Sequence, residues 1–162
     1  MQHWWKILWG LKLPPKVKSF YWKLCKGWLP TSLALSWHGM KIDKFCFRCK
    51  SHMESIFHAI WKCNLVKDIW ILCGFSHYID KNWEYDIFGF LWRMHRLLSP
   101  KEFQLFIMIS WHVWPTRNSH FHNNFWPSVE KVVDGAVKWL DEFISVTGLK
   151  PKNGINKSDD DR

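Results

Sequence analysis

Cys46 and Cys49 stand two residues apart, and His58 and Cys63 follow, giving the pattern C-x2-C-x8-H-x4-C. Two thiols at that spacing can face one ion across a tight turn. Three thiolates and a neutral imidazole close a tetrahedral shell and leave no position for water or substrate, so the set suits one structural zinc ion rather than a catalytic one. Two other readings stay open on spacing alone. The cysteines are also what small buried apolar residues look like, and His52, nearer to Cys49, competes with His58 as the imidazole ligand. His58 and Cys63 are five positions apart, about 140° around an ideal α-helix, so both reach one ion only if the helix ends or tightens near Lys62 to Asn64. The remaining cysteines, Cys25 and Cys73, fall on apolar helical stripes and read as core.

Five cysteines are an odd number for a disulfide framework, and the start Met1-Gln2-His3-Trp4-Trp5 has no secretory pattern. An intracellular, reducing compartment, nuclear or cytoplasmic, is the expectation. The longest apolar stretch, Phe103 to Trp114, is interrupted by Gln104, Ser110 and His112 and falls short of the roughly 18 residues of a bilayer span, so no membrane association is expected. We find no glycine-rich phosphate loop and no nucleophile set. The expectation is therefore no enzyme and no small-molecule substrate. Val133-Asp134-Gly135-Ala136 places its one carboxylate on an amphipathic helix, without the further fixed acids that two-metal chemistry needs. His112, His120 and His122 beside Arg117 form a polar cluster with two readings, a second metal or nucleic-acid contact and, favoured, surface and helix-end chemistry.

The net charge of +9 is unevenly spread: residues 1–50 hold ten Lys and Arg against Asp43 alone, and the rest of the chain is balanced. Lys12, Lys16, Lys18, Lys23 and Arg48, interleaved with aromatic residues, form a candidate nucleic-acid surface. The competing reading is the solvated face of amphipathic helices. Fourteen tryptophans in 162 residues are more than one small core hides, so exposed aromatic surface and a protein partner are a second expectation.

These residues must be positioned by a mostly α fold: a small helical domain with the zinc-stapled loop-helix motif, an amphipathic helical region, and a disordered C-terminal tail. Pro14-Pro15 breaks the chain, and Val17 to Trp28 has helical spacing of its apolar residues. Thr31 caps a short helix through Trp37, with Gly39 as terminator. Lys41 to His52 reads as a loop or short hairpin. Two short helices with a joint at Cys63-Asn64 follow, then a connection over 74–84 and a helix from about Tyr85 to Leu98. Ser99-Pro100-Lys101-Glu102 is a capping box with proline at the first helical position. Pro115 predicts a kink or break near Trp111 to Trp114. A last helix runs from Pro127-Ser128 to Gly148, and Lys150 to Arg162 is polar enough to be disordered.

The run Trp9-Gly10-Leu11-Lys12-Leu13-Pro14-Pro15-Lys16-Val17-Lys18, with Phe20-Tyr21-Trp22-Lys23, Leu29-Pro30-Thr31, Cys46-x2-Cys49, Glu54-Ser55-Ile56-Phe57-His58, Cys63 and Trp70, resembles the reverse-transcriptase zinc-binding domain of plant non-LTR (LINE-type) retroelement polyproteins. Trp111-x-x-Trp114-x-x-Arg117-Asn118 is similar to the segment linking that domain to ribonuclease H. The resemblance implies Cys46, Cys49, His58 and Cys63 as zinc ligands. It also implies a polyprotein fragment or a gene derived from one, here without polymerase and ribonuclease H domains: a zinc-binding domain over 4–73, a helical linker region over 74–148 and a tail over 149–162. Three functions follow from it: a non-catalytic nucleic-acid-binding module, a structural spacer, or a non-functional remnant.

Overall fold

A computed structural model describes residues 2–79, 83 and 86–148. Tyr85 and the tail over 149–162 lie outside the described residues, and so does part of the connection over 74–84. Among the described residues the chain is helical, with one isolated antiparallel bridge between Phe45 and Met53. The helices are α1 (Gln2–Gly10), α2 (Pro15–Cys25), α3 (Ser32–Trp37), a π-helical turn (His58–Lys62), α4 (Asn64–Leu72), α5 (Ser76–Ile79), α6 (Ile87–Leu97), α7 (Pro100–Asn123) and α8 (Val129–Thr147). None is long and apolar enough to cross a membrane.

Local rules place most of the boundaries. The Thr31 hydroxyl accepts from the Ala34 amide, and Gly39 sits at φ +83° where the chain leaves α3. Ser99 accepts from the Glu102 amide while Glu102 accepts from the Ser99 amide, so both halves of the capping box are formed. Ser128 caps α8, and Gly148 ends it in the left-handed region. Two expectations are corrected, and one helix is added: α1 precedes the first helix assigned from the sequence, with Trp4 and Leu8 one turn apart and fully buried. Helix α2 ends at Cys25, because Gly27 at φ +71° turns the chain, and Trp28 is left exposed rather than on the buried face. Helix α7 runs unbroken through Pro115. The proline removes one backbone donor, but its helix is buried against neighbours on several sides, and the Thr116 hydroxyl donates to the His112 carbonyl within the same turn.

Helix α7 organises the core. It packs on α2, the π-turn, α6 and α8, and Phe106, Ile107, Met108, Ile109 and Ser110 are all fully buried in succession. A helix apolar all round is one surrounded by partners. Trp61, Phe90 and Trp70 gather about Phe106, with ring centroids 5.3–6.2 Å from it. Their polar edges are satisfied: the Trp61 indole donates to Ser110 Oγ at 3.0 Å, and the Trp70 indole to the Ile60 carbonyl at 3.0 Å. Trp4 is enclosed edge-on by Phe88, Trp92 and Phe103. One apolar core thus joins α1 and α2 to α6, α7 and α8.

Where α8 crosses α7, Gly135 receives the His112 ring: a Cβ there would meet His112 Nε2 at 2.6 Å. Gly135→Ala is therefore expected to destabilise the fold by about 1–3 kcal/mol despite alanine's higher helix propensity. In a His112→Ala background the same substitution is expected to become neutral or stabilising. Urea denaturation of the four proteins measures this coupling; equal effects of Gly135→Ala in both backgrounds would contradict it. Burial also depresses the His112 pKa. Its contribution to stability is thus complete above the unfolded-state value near 6.5 and declines as pH falls below it.

Candidate metal centre

The first two cysteines lie on a short knuckle. The Cys46 amide donates to the His52 carbonyl and the Lys50 amide to the Cys46 carbonyl, closing the loop with Lys50 at φ +56°. The Phe45–Met53 bridge pins its base, so the segment is the short hairpin the sequence allowed. The second pair lies on the π-turn. The Cys63 amide donates to the carbonyl of His58, five residues back, at 2.9 Å. Widening the helix by one residue per turn brings positions five apart onto one face. The sequence predicted that the helix must end or tighten at this point. It ends there, but after widening: Cys63 is extended (φ −60°, ψ 140°) and serves as the N-cap of α4.

The four ligand atoms of Cys46, Cys49, His58 and Cys63 lie within 4.8 Å of one another. Cys46 Sγ and Cys63 Sγ are 3.9 Å apart, and Cys49 Sγ is 3.3 Å from His58 Nε2. A tetrahedron with metal–sulfur bonds near 2.3 Å and a metal–nitrogen bond near 2.0 Å has edges of roughly 3.5–3.8 Å, so the donors fit one zinc ion. Cys46 and Cys63 are fully buried and His58 nearly so. His52 is exposed and stacks on the His58 ring at 5.5 Å; the cluster holds His58 and not His52. Without metal, the hydrogen bond between Cys46 and Cys63 pushes Cys46 down and Cys63 up from the ordinary thiol range, and the charge of Arg48 favours the thiolate at both. Cys25 and Cys73 lie apart from the cluster, packed against the core, where burial raises each thiol to about 11.

A π-turn leaves carbonyls without helical partners, and two side chains take them. The Trp70 indole binds the Ile60 carbonyl, and Arg48 Nη2 donates to the Ala59 carbonyl at 2.6 Å. Arg48 therefore points inward. Its side chain is fully buried, 3.9 Å from Glu54 and over the face of Trp126, so it does not belong with Lys12, Lys16 and Lys23, which lie at the surface. Lys18 is half-buried and donates to the Trp9 carbonyl, and Lys16 is held over Trp139 at 3.5 Å.

Residues 1–70 match the family described as zinc-binding in reverse transcriptase. This segment belongs to that family. No curated protein and no solved structure matches the chain. The reverse-transcriptase zinc-binding segment contains all four clustered donors, and family and cluster together give one structural zinc ion.

Sequence reasoning missed the hub that holds this segment against the helices after it. Glu54, fully buried, accepts from the Ser32 amide at 2.9 Å and the Ser32 hydroxyl at 3.1 Å, and forms a two-pronged ion pair with Arg117 of α7. Arg117 also lies over the rings of Phe47 and Trp114. Glu54 and Arg117 both stand in the stretches that carry the family resemblance, but 63 positions apart in the chain.

Proposed function

We propose that the chain is a non-catalytic, zinc-stapled module that binds nucleic acid through its basic N-terminal third, in an intracellular, reducing compartment that keeps its thiols free for metal. Cys46, Cys49, His58 and Cys63 are the ligands; the observation that supports this is the meeting of four donor atoms within 4.8 Å of one another, with the Cys46–Cys63 and Cys49–His58 pairs close to tetrahedral edge lengths. Such a shell offers no open position for substrate, and the zinc serves to hold the knuckle to the π-turn. The lysines supply the partner surface. Lys12, Lys16 and Lys23 are exposed, Lys16 and Lys18 are anchored to other helices, and Asp43 is the lone acidic residue among the first 50.

Binding of this kind releases counterions, so affinity is expected to fall steeply with salt, by about 0.7 to 0.9 log units per log unit of salt for each phosphate contacted. Lys16→Glu with Lys18→Glu is expected to weaken binding alike on all sequences and to flatten that slope. Fluorescence anisotropy with labelled oligonucleotides over a salt series measures both. Affinity insensitive to salt and to these charges would refute the nucleic-acid surface while leaving the zinc site standing.

A further inference from the structure

Of three exposed tryptophans in the basic third, Trp9, Trp28 and Trp37, the last two stand furthest into solvent: Trp28 is 60% exposed and Trp37 77%. They flank one surface. A cleft of about 370 Å³ bounded by Trp37, Met53 and Ile87 and a second of about 310 Å³ bounded by Trp28 and Leu35 share Gly27, Ala34 and His38 as their common wall. The Trp28 ring is held edge-on against Trp22 at 4.9 Å, so it stands in a set orientation rather than as a loose side chain. Backbone bonds fix the rest of this face: Trp28 to Lys23, Met40 to Leu35, and Glu54 to Lys44.

The charge around the face is mostly positive, and the one carboxylate beside Ile87, that of Asp86, is engaged in capping α6. From residue 15 to residue 53 the acidic residues are reduced to Asp43, whose carboxylate accepts from the Phe45 amide. Lys26 adjoins Gly27 in the shared wall, and Lys44 adjoins the Phe45–Met53 bridge at the far cleft; both are exposed, as are Lys23 and Lys41. Aromatic faces bordered by lysines complement a polyanion with flat apolar groups. A duplex keeps its bases stacked inside, whereas a single strand can lay them on indole rings while its phosphates meet the lysines. We propose that the Trp28–Trp37 face is a stacking platform for single-stranded nucleic acid. This rests on the nucleic-acid reading above and specifies both the strand form and the surface.

The test uses the full zinc-loaded chain with fluorescein-labelled oligouridylate, oligodeoxythymidylate and a duplex, each of about 15 nucleotides per strand, a length chosen to span one single-strand site. Trp28→Ala and Trp37→Ala are surface changes, and an unaltered melt and zinc content verify the fold. Each is expected to weaken single-strand binding roughly 5- to 100-fold, the effect of losing one stacked base, and to change duplex binding less than about twofold; Trp37→Phe is expected to keep most of the affinity. Comparison of the two single strands separates ribose from deoxyribose preference. Single-strand affinity unmoved by both alanine variants, or duplex affinity lost in parallel, overturns the platform and leaves the lysine surface. No binding of any oligonucleotide at low salt overturns both.

Discussion

Chelation of the purified chain is expected to abolish its cooperative thermal transition, and zinc is expected to restore it. Zinc in small structural sites contributes on the order of 10 kcal/mol or more, against a total stability of about 5–15 kcal/mol for a domain of this size. The geometry shows why the whole fold depends on it. Cys63 is at once the end of the π-turn and the cap of α4, while Cys46 anchors the knuckle that delivers Arg48 to the Ala59 carbonyl. Loss of the ion leaves fully buried thiols and frees the loop between them. Cys46→Ser or Cys63→Ser should therefore have the effect of chelation, whereas Cys25→Ser and Cys73→Ser should retain one zinc per chain. Metal analysis and near-ultraviolet circular dichroism, sensitive to the packed tryptophans, measure both effects. A metal-free protein with an unchanged melt would make these cysteines ordinary core residues. Acid is expected to act in the same direction, because zinc binds deprotonated ligands.

The second large effect concerns the buried ion pair. Glu54→Gln and Arg117→Met are each expected to cost about 3–5 kcal/mol: the first leaves the buried guanidiniums of Arg117 and Arg48 without their carboxylate, and the second leaves Glu54 with Arg48 alone, 3.9 Å away. The double variant should cost less than the two combined, since it removes Glu54 and Arg117 together and leaves only Arg48 without its carboxylate. A cycle of urea denaturation on the four proteins measures this coupling, and strict additivity would show that the pair does not act as a unit. Zinc stoichiometry separates the hub from the metal site: the folded fraction of each variant should still hold one ion. The position of the hub explains its size. Glu54 follows the knuckle, binds the start of α3 and receives Arg117 from the C-terminal third of α7, so a single carboxylate ties together three parts of the chain.

What could be read from the sequence divides along the range of the forces involved. The capping box at Ser99, the Thr31 and Ser128 caps and the Gly39 and Gly148 terminators are contacts within a few residues, and residue type decides them. The four donors were legible for a similar reason: metal chemistry restricts both their identity and their spacing. Where a helix continues depends on what surrounds it. Pro115 signals a break locally, yet its helix is the one around which the others pack.

Arg48 shows the same division most clearly. Its type and its place in a basic segment point to a phosphate surface, but the π-turn opens a carbonyl and Glu54 lies beside it, and the guanidinium is drawn inside. Glu54 and Arg117 carry no local signal of their pairing across 63 positions. Likewise, the tryptophan count announced more aromatic surface than one core covers, while the turn at Gly27 and the end of α3 decided that Trp28 and Trp37 would be the most exposed. The sequence by itself thus determined the helical class, the chemistry of the metal site and most helix ends, since propensity, capping and ligand identity act over a few residues. Which charges turn inward, and which aromatic faces stay in solvent, was decided only by the tertiary structure, because burial is a property of the whole packed core.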